Sequence, residues 1–251
     1  MKPILSGCIL LYCLFSPVSA KQIVLTNGEW APFLGQALPD NGLTSKLVTN
    51  VFEKMGYQVK YKFFKSWARA YAEAYQNPKY DGTLVWSQSP ERAGKFLFTD
   101  SVLNTFEVFF YLAGSDFHWE TIQDLEKYRI GGHIGYDYGV DIEKAEKSGL
   151  VRIDRVKSEH QNIQKLLRKR LDAVIMDKVV GIRLLEDEFT RADLKIIQIH
   201  TKPILKKSYH VLFKASAHQH RQLRKDFNQA LSKMIADGEV DKQYQEYLNA
   251  Q

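Results

Sequence analysis

"KYDGTLVW", residues 79–86, and "RLDAVIMD", residues 170–177, decide the fold. Each follows an amphipathic helical stretch and places an aspartate and a small residue, Asp81-Gly82 or Asp172-Ala173, before an apolar run. Short apolar runs of this kind read as buried strands. The two stretches are either halves of an internal repeat or two strands that begin alike, and these residues leave both readings open. A repeat implies two similar α/β lobes. Ligands of open α/β sheets bind beyond the carboxyl ends of the strands, which here means Trp86 and Ser87 in one lobe and Asp177 in the other.

Working outward, strands alternate with helices. Ile23 to Thr26 reads as a strand that runs into the turn-rich "GEWAPF". Leu43, Leu47, Val48, Val51, Phe52 and Met55 follow at helical spacing and stop at Gly56. Val59, Tyr61 and Phe63 alternate as a strand, and a helix carries Trp67, Ala70, Tyr71 and Ala74. "FEVFFYL", "RIGGHIG", "LVRIDRV", "LKIIQI" and "YHVLF" read as further strands. Helices are expected at roughly 138–148, 158–170 and 178–189, and two more close the chain, broken at Gly238. Such alternation means α/β units on largely parallel sheets.

The stretch "SPERAGKFLFTDS", 89–101, carries a charge in an unusual place. Ser89 suits a helix N-cap and Pro90 the first helical position. Arg92 then falls in the first turn, where a helix dipole repels a cation. An anionic ligand would explain it.

The first residues concern export. Lys2, the apolar run from Ile9 to Phe15 and the closing Val18-Ser19-Ala20 match a secretory signal peptide at 1–20. The run is too short to span a bilayer. "LSGC", 5–8, resembles a lipoprotein processing box, but its apolar run follows Cys8 instead of preceding it. Cleavage after Ala20 removes Cys8 and Cys13, the chain's 2 cysteines, and with them disulfides, thiolate metal sites and cysteine nucleophiles. With 45% hydrophobic residues and no second apolar span, the remainder reads as a soluble periplasmic protein. The net charge of +6 is spread out, and no basic stripe carries interleaved aromatics, so nucleic acid is not an expected partner. His218 and His220 lack an acidic neighbour, and no metal site is expected. "GGHIGYDYG" has neither a phosphate-loop lysine nor dinucleotide spacing, and no nucleophile elbow occurs, so no cofactor is expected.

Six stretches in order resemble the extracellular solute-binding proteins of family 3, which serve polar amino-acid ABC transporters. They are "EWAPF" (29–33), the helix and strand at 67–86, "SPERAGKFLFTDS", "IGGHIGYDYG" (130–139), "LDAVIMD" (171–177) and "ADGEVDKQYQEYL" (236–248). The resemblance implies a type II periplasmic-binding-protein fold: two α/β lobes, each a mainly parallel sheet flanked by helices, joined by two hinge strands. Residues 21–112 and 206–251 would form one lobe and 113–205 the other. It further implies that Trp30 and Trp67 stack on the ligand, that Trp86 and Ser87 supply hydrogen bonds, and that Arg92 forks onto an α-carboxylate. The turn Gly135-Tyr136-Asp137 would donate to that carboxylate, and Asp177 would receive the α-amino group. On this reading a helix N-terminus and a guanidinium hold the anion together. Both charged groups would be hydrated in the empty cleft, so that their removal should hardly affect stability.

The family turn usually carries Thr or Ser where this chain has Tyr136 and Asp137, and the stretch from Asp81 to Arg92 is one residue shorter than usual. Three tryptophans suit a cationic or ring-bearing solute, although core packing explains each of them as well. The expected function is capture of a small polar solute, an amino acid or related amine-bearing compound, by a monomer that presents it to a membrane permease. Two alternatives stand beside it. Some relatives on this fold are cyclohexadienyl dehydratases, for which Glu29 or Asp137 would need a raised pKa. The chain would otherwise serve a membrane sensor as its ligand-binding subunit.

Overall fold

The computed structural model describes residues 21–134, 136 and 138–249, with side chains as far as 246. The signal peptide, Cys8, Cys13, Gly135 and Asp137 lie outside the described residues. The first part of the chain alternates β1 (Lys21–Asn27), α1 (Leu43–Lys54), β2 (Tyr57–Phe63), α2 (Trp67–Gln76) and β3 (Gly82–Trp86). Leu43, Leu47, Val48, Val51 and Phe52 bury one face of α1, and the helix ends where Gly56 takes φ 77°. A single turn, α3 (Pro90–Ala93), leads into the 17-residue β4 (Phe96–Leu112). There follow β5 (Ile130–His133), α4 (Val140–Lys147), β6 (Ile153–Val156), α5 (Glu159–Leu167), β7 (Ala173–Asp177) and α6 (Lys178–Glu188). The chain continues through α7 (Arg191–Ile196), β8 (Ile197–Ile199), β9 (Leu205–Lys214), α8 (Gln219–Ala236) and α9 (Glu239–Asn249).

One expected strand is half helix. In "LKIIQI" the residues to Ile196 belong to α7, and β8 keeps three residues. The cause is a capping box: Thr190 Oγ1 accepts the Asp193 N–H, and the Asp193 carboxylate accepts the Thr190 N–H, at 3.2 and 3.1 Å.

Strand order is β2-β1-β3-β9-β4-β7-β5-β6, with β8 beside β4. β1 pairs parallel with β2 and β3, and β5 pairs parallel with β6 and β7. β4 and β9 run antiparallel to each other and connect these two parallel groups.

The echoed stretches are equivalent in structure. Asp81 donates its N–H to Val24 O and accepts the Val24 N–H on Oδ2, both at 2.8 Å. Asp172 does the same with Arg129, at 2.8 and 2.7 Å. Each aspartate thus fixes the start of its strand against the neighbouring parallel strand. β3 then lies between β1 and antiparallel β9, as β7 lies between β5 and antiparallel β4. The small residue after Asp81 has its own reason, because a Cβ on Gly82 would lie 2.1 Å from the Leu212 carbonyl oxygen.

Two regions of core result. One joins Ile23, Leu25, Phe52 and Leu84 to Val211, Phe213 and the buried face of α8. The other straddles the far half of β4, where alternate residues face opposite sides of the sheet. Phe109 packs with Trp119, Ile130 and Tyr138, while Val108 and Phe110 pack with Ile163, Met176 and Leu185.

Candidate binding cleft

β3 and β7 deliver their last residues to one cleft of about 300 Å³, at the small end of ligand pockets. Trp30, Trp67, Trp86, Ser87, Arg92, Tyr136 and Asp177 all line it. Seven of the eight expected site residues therefore converge, and the eighth, Asp137, is outside the described residues.

The β3 side is shaped by a bulge. Thr83 pairs with Leu212 and Trp86 with His210, so β3 uses one residue more than β9 between the two points. Val85 absorbs it at φ 60°, a conformation costing a β-branched residue about 1–3 kcal/mol. Trp86 Nε1 donates across the bulge to Thr83 Oγ1 at 2.9 Å. The Trp67 and Trp86 rings meet edge to face with centroids 5.6 Å apart. Trp30 packs edge on against Phe33 and Tyr209, at 4.9 and 5.2 Å. Trp30 and Trp67 both serve the core and the cleft wall.

Arg92 is held differently from the sequence expectation. Ser89 does cap α3, its Oγ accepting the Arg92 N–H at 3.3 Å, but the helix is four residues long and its dipole is correspondingly small. Arg92 needs no anion to offset it. Its Nη1 donates to Ser87 O and Oγ at 2.9 and 3.1 Å, and the guanidinium lies 4.9 Å from the Trp86 ring centroid. Hydrogen bonding and cation–π stacking aim a planar fork at the cleft. The Ser87 hydroxyl, accepting from Arg92, keeps its proton to donate.

Asp177 is 4% exposed, not hydrated as expected. Its Oδ1 accepts the N–H groups of Val179 and Val180 at 3.0 Å each and so caps α6. Oδ2 is buried with no hydrogen-bond partner among the described residues. Burial raises the Asp177 pKa, opposed by these N–H groups and by the nearby Thr105 hydroxyl and Phe106 N–H. Tyr136 lies in a turn pinned by Arg155, whose Nη1 donates to the carbonyls of His133 and Tyr136 at 3.0 and 2.9 Å. Burial and the nearby carboxylates push the Tyr136 phenol up to about 12.

Several lining residues escaped the sequence reading. Glu107 comes from β4, is 4% exposed, and has Oε1 3.7 Å from Lys207 Nζ. Burial raises its pKa to about 7, with Lys207 opposing and Asp177 and Glu159 adding to the rise. Glu159, in the first turn of α5, is likewise raised by burial, opposed by the nearby His133 and Asn162 side chains, although neither carboxylate oxygen has a well-formed hydrogen bond among the described residues. Tyr209 completes the wall, its phenol raised by burial and by Glu107. The lone Glu inside "FEVFFYL" was a legible signal, since an acid is rarely placed in a buried strand without a partner or a role. Glu159 looks like an ordinary first-turn acid.

The cleft can bind a small solute through an arginine fork, aromatic faces and carboxylates. The family model "Bacterial extracellular solute-binding proteins, family 3" matches residues 23–250. Among solved structures, the unliganded L-cystine solute receptor of Neisseria gonorrhoeae is similar at TM-score 0.68 and 19% identity, covering 91% of this chain and 93% of that one. An ancestral arginine-binding protein bound to arginine gives 0.64 and 20%, covering 90% and 97%. The GluR0 ligand-binding core with L-glutamate gives 0.68 and 14%, covering 93% and 100%. At these identities the likeness is one of fold. Curated protein sequences give no match. The chain belongs to the bacterial extracellular solute-binding proteins of family 3.

Proposed function

We propose that the chain is a periplasmic binding protein that captures a small polar, amine-bearing solute between two lobes and presents it to the membrane permease of an ABC transporter. The observation that carries this reading is the meeting of Arg92 and Asp177, from opposite parallel groups of the sheet, at one cleft. Arg92 takes a carboxylate, Asp177 an ammonium, and Trp30 and Trp67 stack on the solute between them. Trp86, Ser87 and the Tyr136–Asp137 turn supply further hydrogen bonds. The lobes are residues 21–112 with 206–251, and 113–205, hinged where β4 and β9 cross. The separate cores favour two lobes, although Val108, Phe109 and Phe110 pack in the second core and so draw the far half of β4 towards that lobe. The amino acids named for the similar structures, L-cystine, arginine and L-glutamate, favour an α-amino acid or a related amine. Export follows cleavage after Ala20, and the protein acts as a monomer. Mass spectrometry of the solute released from purified protein, with X-ray scattering before and after its return, tests the reading. A bound amine and a smaller radius on return are expected, and a protein that neither carries nor closes on any small solute would refute it.

Glu107 favours a second reading, a catalytic relative on the same fold. A carboxyl group with a pKa near 7 is a competent proton donor at neutral pH. A binder returns its solute unchanged after hours of incubation, whereas conversion would establish the enzyme.

A further inference from the structure

Among the described residues, four carboxylates line the cleft, Glu29, Glu107, Glu159 and Asp177, against two cations, Arg92 and Lys207. The Glu29 carboxylate accepts the Gln36 N–H at 3.3 and 3.4 Å. The other three stand together. Glu107 and Asp177 are register partners on β4 and β7, and Glu159 is near enough to raise the pKa of Glu107. Glu107 and Asp177 are more than nine-tenths buried. Glu107 Oε2, Asp177 Oδ2 and both Glu159 oxygens are shielded and lack a hydrogen-bond partner among the described residues.

Buried acceptors and like charges in this arrangement are costly, and a native fold keeps them where function needs them. A zwitterion does not resolve the arrangement. Its carboxylate meets Arg92 and its ammonium meets one carboxylate. Lys207 faces Glu107 Oε1 and His133 lies beside Glu159, so the shielded oxygens of the remaining acids still gain no hydrogen-bonded cation among the described residues. We propose that Glu107, Glu159 and Asp177 form a cation subsite, so that the solute of this cleft is a net cation carrying at least one protonated nitrogen beyond those its own carboxylates balance. This rests on the solute-binding reading and names its substrate class: a basic amino acid or a diamine.

The subsite has a proton signature. Glu107 faces Lys207 and Tyr209 from β9, Asp177 from β7, Glu159 from α5 and Tyr136 from the turn. A bound cation favours the ionised carboxylates and expels the proton that Glu107 holds near neutral pH. Affinity for the cation then rises with pH through 7, whereas an anionic solute would give the opposite slope.

Calorimetry on the full chain, freed of carried solute, tests this with L-lysine, L-arginine and cadaverine as cations. L-norleucine, L-glutamate and calcium chloride serve as comparisons. At least one cation is expected to bind roughly 30-fold or more tightly than norleucine, to release protons, and to bind more tightly at about pH 8 than at about pH 6. Glu107→Gln and Glu159→Gln should each weaken it about tenfold or more without lowering the melting temperature. Cadaverine binding as well as lysine would place the recognition in the carboxylates alone, and lysine binding better would add Arg92; either supports the subsite. The proposal is overturned if no cation binds, if norleucine, glutamate or calcium binds as well, or if neither Gln variant weakens binding. Tight binding of norleucine or glutamate would overturn the subsite while leaving the solute-binding reading standing.

Discussion

Glu107 and Asp177 stand directly opposite each other on antiparallel β4 and β7, each only 4% exposed. Burial raises the titration of both, and the Asp177 charge adds to the rise at Glu107. Glu107 moves from 4.5 to about 7. The native chain therefore holds a proton that the unfolded chain has lost between these values. Stability should fall as pH rises through that window and level off above it, by up to about 3 kcal/mol in total. Thermal melts from about pH 5 to pH 8 check the slope, and Glu107→Gln should flatten it and raise the melting temperature at the upper end.

Asp177 has two tasks that different substitutions separate. Asp177→Ala removes the cap of α6 and should cost about 0.5–2 kcal/mol of stability. Asp177→Asn keeps a capping oxygen and loses the charge, so it should melt near wild type. Both should weaken solute binding by roughly 30-fold or more, because a partnered charge is removed from a desolvated site. Melting and calorimetry on the two variants read the tasks apart.

Arg92 should not tolerate a conservative change. Arg92→Lys keeps the positive charge but loses the Nη1 hydrogen bonds to Ser87, the planar stack on Trp86 and the fork they aim at the cleft. Its affinity for the captured solute should fall about tenfold or more, with little effect on the melting temperature.

Trp67 can be displaced without being mutated. A Cβ on Gly28 would lie 2.7 Å from the Trp67 ring, so Gly28→Ala should push the indole out of place. Weaker binding and a smaller tryptophan fluorescence change on solute addition are expected. An unaltered fluorescence change would mean that Trp67 is a packing residue.

The strand-and-helix alternation is legible because each buried run carries its own period, whereas Asp81 and Asp172 leave a repeat and two strands that begin alike equally open. Their hydrogen bonds decide between a repeat and a coincidence. The length of α3 was not legible, since Ser89 and Pro90 signal where a helix begins but nothing in them says that it stops at Ala93. The helix in "LKIIQI" was missed because Thr190 and Asp193, the box that starts it, precede the apolar run. Trp86 and Asp177 were legible as strand ends and Arg92 as a cation in a first helical turn, while Trp30 and Trp67 came from the family resemblance. Glu159 and Lys207 reach the cleft only through tertiary packing, and local sequence holds no record of which acids will be brought together.

The most direct measurement is of the solute itself: mass spectrometry of what the full chain releases on denaturation, compared among wild type, Arg92→Ala and Asp177→Asn. The account predicts one small amine-bearing solute per chain in the wild type, carrying a cationic nitrogen, and a large loss of it from both variants. A solute without an amine, or one retained undiminished by Asp177→Asn, would contradict it.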